Sequence, residues 1–180
     1  VTPADDTLSG GLLARSAAAT EGLITALLTA GPAMDCWTWW GDSDVPMTSG
    51  AVARHQVQEA AVHAFDAQLA VGTPQPVPVV VALDGIAEFI GVSHGTAGAW
   101  PHEPVRIGLH AAEGRSWLVD LTASGSLLVD GRHEAETVAD LHGSASDLLL
   151  ALHLRLPLDS LRSEGDRATL ENLLSWPDLG

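Results

Sequence analysis

Residues 54–67 read RHQVQEAAVHAFDA, from Arg54 to Ala67, and how this stretch is read decides the N-terminal half of the chain. It lies inside a Pro-free segment, Ser49 to Val71, that stops at Gly72 and Pro74, which predicts a helix. Val57, Ala61, Phe65 and Leu69 recur at four-residue steps and are expected to form its apolar stripe. At 3.6 residues per turn, His55, Glu59, His63 and Asp66 fall within about 80° of one another on a separate face. Glu59 and His63 are i and i+4, close enough to bind one metal ion as helical ligand pairs do. The same spacing also describes a solvated polar face, because one carboxylate and one imidazole are two ligands short of a closed tetrahedral site.

Working outward, Leu12, Leu13, Leu23, Ile24, Leu27 and Leu28 suit an amphipathic helix from Leu12 to Ala30, ended by Gly31-Pro32. An irregular stretch from Met34 to Met47 carries Cys36, Trp37, Trp39 and Trp40. Beyond the stiff Pro74, Pro76 and Pro78 connector, Val80, Leu83, Ile86, Ala87 and Ile90 predict a third helix, weakened by Gly85. Composition turns to Gly, Pro, His and Trp between Gly95 and Pro104, the expected boundary between a helical domain, 1–96, and a smaller α/β domain, 97–180. Val105, Ile107, Leu109 and Ala111 alternate with polar or small residues, as do Trp117, Val119 and Leu121, so both runs predict half-buried strands. Two more strands are expected at Ser126–Val129 and Ala135–Leu141. Ser144 caps an apolar helix from Ala145 to about Arg155, and Gly165-Asp166 opens a short last helix carrying Leu170, Leu173 and Leu174. The expected class is α+β with a mostly antiparallel sheet.

Composition narrows the function classes. The formal charge of −15 disfavours nucleic acid and anionic membranes as partners. No lysine is present, which removes Schiff-base, pyridoxal-anchoring and phosphate-loop lysine chemistry. Replacement of Lys, Tyr and Asn by Arg, Ala and Gly points to a GC-rich coding bias of the actinobacterial kind. The single Cys36 rules out an internal disulfide framework and fits a reducing compartment, and no apolar run reaches a membrane span's length, so a cytoplasmic protein is expected. A sequence beginning with Val is expected to continue upstream.

The Arg54–Ala67 run resembles the segment R-R-x-x-H-E-x-x-V-H-R-x-D-A of the mycothiol-dependent maleylpyruvate isomerase family, within the DinB-like metal-binding superfamily. Leu83-Asp84-Gly85-Ile86-Ala87-Glu88-Phe89 is similar to the family's D-G-x-x-E-F/L stretch. Gly143 to Leu150, Arg155 and Glu164-Gly165-Asp166 resemble its C-terminal domain. Gln58 stands where many relatives carry His, and Ala64 where they carry Arg.

The resemblance implies a partial four-helix DinB-like bundle followed by a small domain similar to sterol carrier proteins. It also implies a divalent metal, usually zinc, held by Glu59, His63 and an early His that has no counterpart before Leu12. His55 or another subunit is then the expected source of the third ligand. Such a metal favours the thiolate of bound mycothiol, which adds to a conjugated cis double bond, allows rotation and leaves. The implied function is therefore a mycothiol-dependent isomerase or thiol transferase acting on a small electrophile. The alternative is a non-catalytic ligand-binding or interaction protein that kept the scaffold.

Arg155 reads either as a helix-end cation or as the group that grips a substrate carboxylate bidentately. Cys36 beside three Trp residues reads as a packed small hydrophobe rather than a nucleophile. Trp37, Trp39 and Trp40 read as core or interface anchors, with ligand stacking as the lesser alternative. His94, His102, His110, His133, His142 and His153 have no paired ligand spacing, and most of them read as loop or strand surface; no G-x-S-x-G hydrolase signature is present. Two or three helices with broad apolar faces do not close a bundle alone, so a homodimer or further upstream helices are expected to cover them.

Overall fold

The computed structural model describes residues 6–130 and 136–177. Helices α1 (Asp6–Ala30), α2 (Ser49–Ala70) and α3 (Val79–Phe89) come first, and α3 runs directly into a π-helical turn, Ile90–His94. Strands β1 (Val105–Ala111), β2 (Ser116–Thr122), β3 (Gly125–Asp130) and β4 (Ala139–Gly143) follow, then α4 (Ala145–Leu152), β5 (Arg162–Gly165) and α5 (Arg167–Ser175). The class is α+β. The sheet order is β3-β2-β1-β4-β5, parallel only between β1 and β4 and antiparallel elsewhere. Among the described residues, no helix is long and apolar enough to cross a membrane.

Local chemistry explains most element ends. The Thr48 hydroxyl accepts from the Ala51 N–H at 3.3 Å to start α2, and Ser144 accepts from Asp147 at 3.1 Å to start α4. Alternation along the strands sends Ile107, Leu109, Trp117, Val119, Leu121, Ala139 and Leu141 into one core shared with Leu148, Leu149, Leu152, Leu170 and Leu173. That core continues without a break into Ile86 and Phe89 of α3 and Val62 and Phe65 of α2. Gly85 marks where the helices meet, since a Cβ there would lie 3.1 Å from both Gln58 Cγ and Leu149 Cδ2. The residue that weakens α3 as an isolated helix is what lets it pack against α2 and α4.

Several sequence expectations need correction. The buried stripe of α2 is Gln58, Val62 and Phe65, while Val57 and Leu69 are exposed. Steps of four alone drift around a helix of 3.6 residues per turn, and the mixed step of four and three holds one face better. Helix α4 ends at Leu152 rather than near Arg155, because Leu154 adopts a left-handed φ of 60° and turns the chain. Strand β4 begins at Ala139, with Ala135 outside the described residues, and β5 has no alternating apolar signal to announce it. Helix α1 forms, yet Leu12, Leu13, Ile24 and Leu28 are exposed. Trp40 is buried as an anchor, whereas Trp37 and Trp39 are exposed. His94 and His153 are buried rather than superficial, and His133 lies outside the described residues.

The sheet's outer face carries a polar ladder. His110 bonds Ser116 Oγ through Nδ1 at 3.0 Å and Asp140 Oδ1 through Nε2 at 2.8 Å, and its ring stacks on His142 at 4.6 Å. Gly108 makes room for this arrangement, because a Cβ there would overlap Asp140 Oδ1 and sit 2.5 Å from His110 Nε2. Gly108→Ala is therefore expected to destabilise the fold by about 1–3 kcal/mol. Gly22→Ala, in open space on α1, should stabilise by up to about 1 kcal/mol. Urea denaturation of the two variants checks the contrast, and equal midpoints would contradict it.

Candidate functional site

A cleft of about 310 Å³ opens where α2 faces the π-helical turn and the chain leaving α4. Helix α2 supplies His55, Glu59, Val62 and His63, so three residues of the face read from the sequence line the cleft, and Asp66 stands outside the lining. The π-helical turn and the residues after it add Ser93 and Thr96, and the turn beyond α4 adds His153 and Arg155. Trp39, from the α1–α2 connector, closes one side. Glu59, His63 and Arg155, singled out on separate grounds, meet at one cavity.

At the floor, His55 Nδ1 bonds Glu88 Oε1 at 2.8 Å, with the Glu88 side chain only 3% exposed. Glu88 Oε2 is buried and has no hydrogen-bond partner among the described residues. Burial pushes the His55 imidazole down, but the Glu88 hydrogen bond and the charges of Glu88 and Glu59 outweigh it, leaving the ring above its ordinary value. Trp40 and Trp39 pack on the ring at 5.0 and 5.8 Å between centroids.

At the rim, His63 Nε2 lies 3.4 Å from Glu59 Oε2 and its Nδ1 lies 3.2 Å from Asp66 Oδ2. Arg155 then grips Asp66 with both arms of its fork, Nε to Oδ1 at 3.1 Å and Nη2 to Oδ2 at 2.9 Å. Its Nη1 donates to the His153 carbonyl at 2.7 Å. Arg155 sits beyond α4 and crosses to α2; the bidentate grip expected for a substrate carboxylate is filled here by Asp66. Those Arg155 hydrogen bonds hold the Asp66 carboxyl below its ordinary range.

His153 is buried, and the Gln58 amide donates to its Nε2. Burial, then the nearby charges of Arg155 and His63, push its imidazole down to about 4. Gln58, a departure from the family pattern on paper, is thus the buried partner of a neutral histidine.

The fit to a metal can be judged from this geometry. Glu59 and His63 form a two-ligand pair, while His55 is engaged by Glu88, Asp66 by Arg155 and His153 by Gln58. Among the described residues, no group of three His, Cys, Asp or Glu side chains is arranged to hold an ion. These residues do not fit a three-ligand divalent site.

The matched segment now has a structural context: α1, the Trp-bearing connector and α2 up to the cleft wall. Residues 2–68 match the mycothiol maleylpyruvate isomerase N-terminal domain. This domain match takes in His55, Glu59, His63 and Asp66, whereas Glu88, His153 and Arg155 lie beyond it. No curated protein matches the chain. Among solved structures, a stereoselective inverting sec-alkylsulfatase from Pseudomonas sp. aligns at 10% identity and a TM-score of 0.39, over 43% of this chain and 13% of its own. The UbiJ-SCP2 ubiquinone synthesis protein aligns at 8% identity and a TM-score of 0.33, over 71% of this chain and 94% of its own.

Sequence reading gave Glu88 and His153 no role in the site. For Glu88 a signal existed: one carboxylate amid Ile86, Ala87, Phe89 and Ile90 needs a partner once that helix is buried. For His153 none did, since it is buried by Gln58 of α2 and Phe89 of α3, both distant in sequence.

A pH dependence follows from the buried rings. His94 is fully buried, and burial pushes its imidazole down to about 4, as in His153. Both titrate near 6.5 in the unfolded chain, which then binds more protons than the fold between those values. Their contribution to stability is complete above about pH 6.5 and is lost as the pH falls toward about 4. Thermal melts across that window should show the decline, with a shallower slope in His94→Phe; an unchanged slope would count against the assignment.

Proposed function

We propose that the protein brings mycothiol, or a thiol like it, together with a small electrophile in this cleft, as an isomerase or thiol transferase of the maleylpyruvate isomerase type. One observation carries the reading: Glu59, His63 and Arg155 converge on a single cavity whose α2 wall belongs to the matched domain. In the isomerisation, a thiolate adds to a double bond conjugated to carbonyls, the new single bond rotates, and elimination returns the thiol and the trans product. Arg155 is the anion-binding residue of this reading, exchanging the Asp66 carboxylate for a carboxylate of the ligand.

A divalent metal on Glu59 and His63 would need a third ligand from outside the described residues. That same observation favours a second reading, a ligand-binding protein that retains the scaffold without a working metal site.

Metal analysis of the purified protein and calorimetric titration with mycothiol separate the two. The enzyme reading expects saturable thiol binding that weakens in Glu59→Ala and His63→Ala, with any bound metal lost from both variants. Thiol binding and stability unaltered in both variants, with no turnover of a conjugated cis electrophile, would establish the binding module instead. Arg155→Ala should weaken binding of a carboxylate-bearing ligand about tenfold or more, and unchanged affinity would remove Arg155 from the site.

A further inference from the structure

Beside the Glu59/His63 pair, the cleft holds a second constellation. Glu88 is buried in α3, and its hydrogen bond to His55 Nδ1 at 2.8 Å orients the imidazole. The other ring nitrogen, Nε2, makes no hydrogen bond among the described residues, on a side chain that lines the cavity. A ring held at one nitrogen by a buried carboxylate and free at the other is arranged for proton transfer. The indoles of Trp39 and Trp40 against the ring limit its access to water and its rotation. The charged or titratable groups near it are Glu88 from α3, Glu59 from its own helix and His153 from beyond α4, and both carboxylates favour its protonated form.

Resting on the thiol reading above, we infer that His55, positioned by Glu88, is the base that takes the proton of a low-molecular-weight thiol bound in the cleft. The S–H bond breaks with its electron pair left on sulfur, and the proton bonds to His55 Nε2. Nδ1–H continues to donate to Glu88, so the product is a thiolate facing an imidazolium that is itself compensated by a buried carboxylate. No metal is required, which matches a cleft whose described side chains do not assemble three ligands. His55 is the catalytic residue of this step and Glu88 its positioning residue.

The test uses mycothiol as the probe on the full chain, in the presence of a metal chelator. Binding is followed by calorimetry, and thiolate by its ultraviolet absorbance. A free thiol is only a few per cent thiolate at neutral pH. Wild type is expected to raise that fraction about tenfold. His55→Gln, which can still donate to Glu88, should bind mycothiol but lose the rise. Glu88→Gln should move the midpoint of thiolate formation to higher pH, with Glu88→Asp restoring part of it; a purely structural Glu88 would leave the midpoint in place. On wild type alone, mycothiol should shift the His55 ring-nitrogen resonances toward the imidazolium position, which keeps the test decisive if a variant fails to fold.

Equal thiolate in wild type and His55→Gln, loss of thiolate with the chelator, or binding without a shift at His55 would each overturn the dyad while leaving the thiol reading intact. Absence of mycothiol binding to wild type would overturn the thiol reading, and the dyad's assignment with it.

Discussion

A carboxylate buried in an apolar helix constrains everything around the cleft. Glu88 lies between residues that face the core, and an unpaired charge there carries a penalty of several kcal/mol. His55 answers it from α2, 33 residues away in sequence. Once His55 must face α3, the helical period decides the rest of α2: Gln58, Val62 and Phe65 turn to the core, and Glu59 and His63 come to the cleft rim. Gly85 suits the approach, because a Cβ there would press on the Gln58 and Leu149 side chains at 3.1 Å. Breaking a buried pair of this kind by removing one partner typically costs about 3–5 kcal/mol. The pair therefore acts as a tether as well as a chemical group.

The cleft's other charges are also tied. Asp66 occupies Arg155, His63 sits between Glu59 and Asp66, and Gln58 occupies His153. Any anion reaching Arg155 would have to displace Asp66 from a guanidinium already held in bidentate geometry. In a chain of formal charge −15, His55, His63 and Arg155 gather at one opening, each faced there by a carboxylate, Glu88, Glu59 and Asp66 respectively.

Much of the fold was legible because its signals are periodic. Alternation in Val105–Ala111 and Ser116–Thr122 located two central strands, and Ser144 with Asp147 located the start of α4. The polar face of α2 was legible for the same reason, since angles around a helix are arithmetic. The failures have physical causes of the opposite kind. Strand β5 is short and mostly exposed, so its place comes from pairing with β4 rather than from its own residues. The end of α4 depends on one left-handed residue, Leu154, which carries none of glycine's usual signal.

The sequence by itself determined the α+β class, the helical face bearing His55, Glu59, His63 and Asp66, and the exclusion of lysine chemistry, because composition and helical period require no partner. Only the tertiary structure decided what that face meets. Arg155 closes on Asp66, His153 is buried against Gln58, and Glu88 stands behind His55, each a contact between segments distant in sequence. Such contacts follow from how α2, α3 and α4 pack around Gly85, and that packing is set by the fit of whole surfaces, which local spacing does not encode.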